Sequence, residues 1–145
     1  MSEPKQFCTF YLGDLYLGVD VLKVQEIIRY QSMTRVPLAP VMVQGLINLR
    51  GQIVTAVDLR KRLEMQDRDE DAELPTNVVV RTDDGAVSLL VDEIGDVVEV
   101  EDDCHERPPE TIKQIAREMI QGIYKLKDNL LLVLDTEKAL NLTEA

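Results

Sequence analysis

Gln44-Gly45-Leu46-Ile47-Asn48-Leu49-Arg50-Gly51-Gln52-Ile53-Val54-Thr55-Ala56-Val57-Asp58-Leu59 is echoed, 77 positions further on, by Gln121-Gly122-Ile123-Tyr124-Lys125-Leu126-Lys127-Asp128-Asn129-Leu130-Leu131-Leu132-Val133-Leu134-Asp135-Thr136. Each copy opens on Gln-Gly, runs through alternating apolar residues to a turn (Arg50-Gly51, then Asp128-Asn129), and returns through a second apolar run to an aspartate. Apolar residues at period two, interrupted by a pair of turn residues, are the pattern of a β-hairpin. Asp58 and Asp135 then precede short amphipathic segments, Leu59 to Leu63 and Thr136 to Leu142. A carboxylate in that place accepts hydrogen bonds from the free N–H groups of a first helical turn, so one or two turns of helix are expected after each hairpin.

A fainter echo lies upstream. Val19-Asp20-Val21-Leu22-Lys23-Val24-Gln25-Glu26-Ile27-Ile28 matches Val91-Asp92-Glu93-Ile94-Gly95-Asp96-Val97-Val98-Glu99-Val100 at a spacing of 72. Before these stand Phe7 to Leu12 and Asn77 to Arg81, rich in β-branched or aromatic residues, followed by the turn signals Gly13-Asp14 and Asp83-Asp84-Gly85. Each half therefore reads strand, turn, strand, short turn, strand, loop, hairpin. Five short strands in an open sheet would leave bare edges, and rolling them into a small barrel removes the problem. Two packed barrels are expected, the first over 6–66 and the second over 74–142, with the acidic segment Glu64 to Pro75 as connector; the sequence leaves strand exchange between the halves open.

At 145 residues the chain has the size of one compact domain. Its 45% hydrophobic and 30% charged residues, with an apolar set dominated by Val, Leu and Ile, predict an aliphatic core. No apolar run reaches the roughly 18 residues of a membrane span. The stretch Met1 to Gln6 lacks the basic-then-apolar order of a signal peptide, so a cytoplasmic protein without membrane insertion is expected. The net charge of -11 is uneven: residues 1–72 carry nine Lys/Arg against ten Asp/Glu, and residues 73–145 carry seven against seventeen, giving -1 and -10. With an acidic second half and no basic stripe interleaved with aromatics, nucleic-acid binding is disfavoured.

Catalysis has little to work with. There is no Gly-rich phosphate loop, no nucleophile with a base and an orienting partner, and a single histidine. That histidine, His105, follows Cys104 and stands near Asp102, Asp103 and Glu106. A structural zinc site wants four ligands at defined spacing, and no second Cys or His pair closes this one, so an ordinary loop is expected and a metal-binding or small-molecule barrel is the alternative. Cys8 and Cys104 are expected as free thiols. Two loops carry prolines that a central strand would not tolerate. Arg35-Val36-Pro37-Leu38-Ala39-Pro40 reads either as a lid over a barrel mouth or as an exposed apolar patch, and Arg107-Pro108-Pro109-Glu110 precedes Ile112, Ile115 and Met119 at the spacing of one short helix.

Val24-Gln25-Glu26-Ile27-Ile28, Val36-Pro37-Leu38-Ala39-Pro40, Gly45-Leu46-Ile47-Asn48-Leu49-Arg50-Gly51 and Val57-Asp58-Leu59-Arg60, taken together, strongly resemble the CheW family of bacterial chemotaxis coupling proteins, over nearly the whole chain. The resemblance implies a single domain spanning 1–145, mainly β, built of two SH3-like five-stranded β-barrels with short helices. It implies no enzymatic activity and no cofactor. The implied work is to couple the cytoplasmic tips of chemoreceptors to the regulatory domain of the histidine kinase CheA. Other CheW-like barrels, in rings, are further implied partners, and membrane receptor arrays are reached only through partners. Carried over by position, a receptor groove would include Val21, Val24, Glu26, Gly45 and Arg50, with Asn48 and Gly51 flanking Arg50 in the same hairpin. Two departures stand out: Met42 lies where the family often has an aromatic, and the acidic segment from Asp67 to Glu73 is this chain's own.

The residues themselves give the site a physical sense. An arginine at a hairpin tip is carried by stiff strands, and its planar guanidinium suits a carboxylate or backbone carbonyls on a helical partner. Gly51 is expected to supply the positive φ of the tight turn. Val24 and Glu26, two apart, would share one face of an extended segment and pair an apolar anchor with an orienting charge.

Overall fold

The alternating segments become strands in the expected order, in a computed structural model that describes residues 5–67, 74–83, 85–100, 105–106, 118–126 and 129–140. β1 (Lys5–Leu12) and β2 (Leu15–Asp20) form a hairpin; a 3-10 turn over Val21–Lys23 leads into β3 (Val24–Ile28); β4 (Val43–Leu49) and β5 (Gln52–Asp58) form the first echoed hairpin, followed by α1 (Leu59–Arg62). The second half repeats the plan with β6 (Thr76–Thr82), β7 (Gly85–Val91), β8 (Glu93–Val100), a two-residue β9 (His105–Glu106), the hairpin β10 (Ile120–Lys125) and β11 (Leu130–Leu134), and α2 (Thr136–Ala139). The short helix expected ahead of Met119 falls on 107–117, outside the described residues.

The internal echo extends to backbone detail. A bulge interrupts the β4–β5 ladder between Val43 and Gly45, and its counterpart interrupts β10–β11 between Ile120 and Gly122, so each repeated Gln-Gly sits at the same irregularity. The Asp58 N–H donates to the Met42 carbonyl at 2.7 Å, and the Asp135 N–H donates to the Met119 carbonyl at 2.8 Å. Both aspartates cap their helices as expected, Asp58 accepting from the Arg60 N–H at 3.0 Å and Asp135 from the Lys138 N–H at 3.1 Å.

The sheets do not divide the chain at the connector. One runs in the order β3-β6-β7-β5-β4 and the other β8-β1-β2-β11-β10-β9. Of the arrangements left open for the halves 6–66 and 74–142, the strand pairing is the exchanged one: the halves exchange their leading hairpins. β6–β7 joins the first-half strands through a parallel pairing of β7 with β5, Thr55 opposite Val87, while β1–β2 joins the second half through β2 and β11, Leu17 opposite Leu132. An apolar pattern specifies which faces of a strand are buried, but it carries no label for the strand at its edge.

Three apolar clusters explain why β6 and β11 carry unbroken apolar runs. Ile47, Leu49, Val54 and Val79 form a core private to the first sheet, and Ile28 and Met33 pack against it. Side chains from both edge strands, β3 and β4, thus meet in one core, so this sheet is rolled upon itself. Phe7, Val100, Tyr124, Leu131 and Val133 form the second sheet's private core. Between the sheets lies a shared core containing Phe10, Leu12, Leu17, Val19, Leu59, Val78, Val80, Leu89, Ile123, Leu132 and Leu134. Successive residues of β11 alternate between private and shared cores, and so do those of β6, which is why Leu130-Leu131-Leu132-Val133-Leu134 and Val78-Val79-Val80 read as unbroken apolar runs. Fully burying a Val, Leu or Ile side chain contributes about 1.5–3 kcal/mol. The doubly covered strands, rather than the four-residue helices, hold the fold together.

Candidate functional site: the apex of the β4–β5 hairpin

Leu49 pairs with Gln52, leaving Arg50 and Gly51 as a two-residue turn in which both carry positive φ, 52° and 87°. Two left-handed residues match the right-handed twist of the flanking strands. Gly51 adopts this conformation freely; Arg50 is a non-glycine residue held there. Part of the hold comes from Asn48, whose Oδ1 accepts the Gly51 N–H at 2.9 Å. The Arg50 guanidinium then reaches across to β3, where its Nη2 pairs with Glu26 Oε2. The Arg50 side chain remains 72% exposed against 20% for Glu26, so the cation presents its outer face to solvent while its carboxylate partner is largely covered. The hydrogen bond from Arg50 holds the Glu26 carboxyl below its ordinary value, and the same contact raises the arginine. Ile53, the cross-strand neighbour of Asn48, is 60% exposed and adds apolar surface beside the turn.

The other residues of the expected groove are placed differently. β3 is extended, yet a bulge at Gln25 sets Val24 opposite Val80 and Glu26 opposite Val79. Val80 belongs to the shared core and Val79 to the private one, so adjacent partners on β6 point to opposite faces. Val24 packs against the shared core while Glu26 turns toward the private-core side, which corrects the expectation that the two share a face. Gly45 is buried beneath the chain itself. Thr34 and Leu46 exchange backbone hydrogen bonds of 2.9 and 2.8 Å, and a Cβ on Gly45 would lie 2.9 Å from both Met33 Cβ and the Thr34 carbonyl oxygen. Its small size is thus used by the 33–34 segment. Val21 opens the 3-10 turn, half-buried, with Asp20 capping that turn through the Leu22 N–H at 2.9 Å. The structure therefore assembles Glu26, Asn48, Arg50 and Gly51 into one hydrogen-bonded unit and gives Val21, Val24 and Gly45 other surroundings.

The loop before β4 is an exposed patch rather than a lid. Leu38 is fully exposed at φ 63°, and Val41 is 73% exposed. Further exposed apolar residues, Leu22 and Ile27, flank Val24 and Glu26; their apolar character in a segment bounded by Asp20 and Arg29 was the available signal. Cys8 is a free thiol, buried in β1, where burial and the nearby Asp20 push its pKa up. Cys104 and the His105 side chain lie outside the described residues; among the described residues no group of three or more His, Cys, Asp or Glu is arranged to hold a metal, and no helix is long and apolar enough to cross a membrane.

A CheW-like domain model matches residues 6–144. The chemotaxis protein CheW of Treponema pallidum is 31% identical over 140 residues, covering 94% of this chain and 82% of the relative, and that of Klebsiella aerogenes is 34% identical, covering 97% and 84%. The crystal structure of the scaffolding protein TtCheW from Thermoanaerobacter tengcongensis superposes with a TM-score of 0.81 at 28% identity, covering 91% of this chain and 89% of that one. A duplicated, hairpin-exchanged β fold with an arginine at the apex of its Asn-Leu-Arg-Gly turn, matched end to end by this domain, makes the chain a member of the CheW family of chemotaxis coupling and scaffold proteins.

Proposed function

We propose that the chain bridges the cytoplasmic tips of chemoreceptors and the regulatory domain of the histidine kinase CheA, acting by binding alone. The observation that carries this reading is the Arg50–Glu26 pair: a largely exposed guanidinium on a rigid turn, braced by a largely covered carboxylate on β3, the opposite edge strand of the rolled sheet. Bracing fixes the direction of the guanidinium without removing it from solvent, so an incoming helical tip meets a donor already oriented, and little side-chain entropy remains to be lost on binding. Ile53 beside the turn and Leu22 and Ile27 near β3 supply apolar surface. Each contact of this kind is modest, and a bridging protein held at several surfaces in an array gains by multivalency. Kinase binding, self-association with other CheW-like subdomains into rings, and recruitment to membrane arrays through partners belong to the same proposal.

The test is co-sedimentation with receptor-containing membranes, alongside thermal unfolding. Arg50→Glu is expected to abolish receptor co-sedimentation while the melting transition stays cooperative. Receptor binding that is unchanged in a folded variant would remove Arg50 from the site.

A further inference from the structure

The second sheet's private core is open at one end. Lys5 and Phe7 lie on the same face of β1, Asp20 is the cross-strand partner of Phe7, and Tyr124 and Val133 face the same core from β10 and β11. The bulge at Gln121 interrupts the β10–β11 ladder near that end. There a cavity of about 190 Å³ is lined by these residues together with Lys23, Gln121, Gly122 and Leu134. Its lower wall is aromatic, with the rings of Phe7 and Tyr124 at a centroid distance of 5.8 Å.

Its rim carries charge that nothing in the described chain uses. Among the described residues neither the Lys5 nor the Lys23 ammonium makes an ion pair or hydrogen bond, and the one carboxylate present, Asp20, accepts the Leu22 N–H through Oδ1. Two ammonium groups and one carboxylate leave a single net positive charge at the mouth of a cavity, in a protein whose overall charge is -11. Sites for metabolite-sized ligands run to about 300–1,000 Å³, so this one holds a single functional group. A phosphate monoester, with about -1.5 to -2 charges, would exceed the available positive charge and meet Asp20. A monocarboxylate balances it, takes charge-assisted hydrogen bonds from both lysines, and lays its short carbon stem against the rings.

We propose that the Lys5–Lys23–Tyr124 cavity is a binding site for one carboxylate group, separate from the hairpin apex and independent of the receptor reading. That carboxylate is either a small free acid or an acidic side chain inserted by another protein.

The experiment is a titration of the full-length, isotope-labelled chain followed by amide chemical shifts. Sodium acetate, blocked glutamate (N-acetylglutamate amide) and inorganic phosphate are compared at ionic strength held constant with sodium chloride. Saturating shifts confined to Gln121, Gly122, Tyr124 and Lys23 are expected with acetate or blocked glutamate. Tighter binding of blocked glutamate identifies an inserted side chain, and tighter binding of acetate a free acid. The double variant K5Q/K23Q, whose remaining spectrum reports that it is folded, is expected to weaken the carboxylate on the order of a hundredfold, the loss of two charge-assisted contacts at roughly tenfold each. Non-saturating shifts, shifts that are unchanged in K5Q/K23Q, or phosphate binding more tightly than both carboxylates would each overturn the proposal; should K5Q/K23Q fail to fold, the single variants K5Q and K23Q carry the same comparison.

Discussion

Arg60 and Asp92 close on each other as a fork: Arg60 Nε lies 2.9 and 3.1 Å from the two carboxylate oxygens, and its Nη2 also pairs with Oδ2. The same carboxylate accepts the Gly13 N–H at 2.8 Å, and Arg60 Nη1 donates to the Gln66 carbonyl at 2.8 Å. One pair thus ties the β1–β2 turn, the start of α1 and the β7–β8 corner. With the side chains only 15% and 21% exposed, removing one partner leaves a poorly solvated charge. Asp92→Ala is expected to destabilise the protein by about 2 kcal/mol, the scale of a charged hydrogen bond lost in a partly buried place, and Asp92→Asn by less because it still accepts from Gly13. Urea denaturation measures both; equal midpoints for Asp92→Ala and the parent would show that the fork is idle.

The Glu26 carboxyl has a folded-state pKa lowered from 4.5 by the hydrogen bond from Arg50. A lowered carboxyl pKa gives a contribution to stability that is complete above 4.5 and disappears as pH falls through the lower folded value. An NMR titration of the Glu26 side-chain carboxyl should give a midpoint below 4.5 in the parent and a return toward 4.5 in Arg50→Ala. Identical midpoints in the two proteins would mean that the pair does not persist in solution.

Gly45→Ala should act at a distance from its own strand. Its methyl group would stand 2.9 Å from Thr34 O, a backbone atom, so the 33–34 segment must retreat. Overpacking of this kind costs typically about 1–3 kcal/mol. Hydrogen exchange is the sensitive measurement: the Thr34 and Leu46 amides should lose protection while those of β10 and β11 keep it. Uniform protection throughout would place the strain elsewhere.

Leu38 offers the opposite case. It is fully exposed in a left-handed conformation at φ 63°, which costs a non-glycine residue about 1–2 kcal/mol. Leu38→Gly relieves that cost and gives back about 0.5–1 kcal/mol in unfolded-chain entropy, for a net gain of roughly 0.5 kcal/mol. Thermal unfolding should rise by a degree or two; a lower melting temperature would show that the leucine packs after all.

The hairpins, both aspartate caps, the two-residue turn at Arg50 and the strand order of each half were legible in sequence because period-two alternation and turn residues are local signals. The exchange of β1–β2 with β6–β7 was not, since Val78-Val79-Val80 announces a strand covered on both faces without naming its neighbours. The candidate site was legible in part. Arg50 stands out as a charge in a turn, but its partner Glu26 lies 24 residues away on β3, the opposite edge strand of the sheet, whose register against β6 is displaced by the bulge at Gln25. One inserted residue reverses the face of everything beyond it, which is why Val24 and Glu26 part company. Gly45 shows the reverse difficulty: a glycine matched to a binding motif is also the floor on which Thr34 lies.

The reciprocal lending of hairpins makes the molecule indivisible. A fragment ending at the connector would carry β5 with its parallel partner missing, and the complementary fragment would carry β11 in the same condition. Each would be a sticky, half-paired template for aggregation rather than a module. The repeated pattern is woven into one inseparable body, and a push delivered to either subdomain is felt by strands whose sequence belongs to the other.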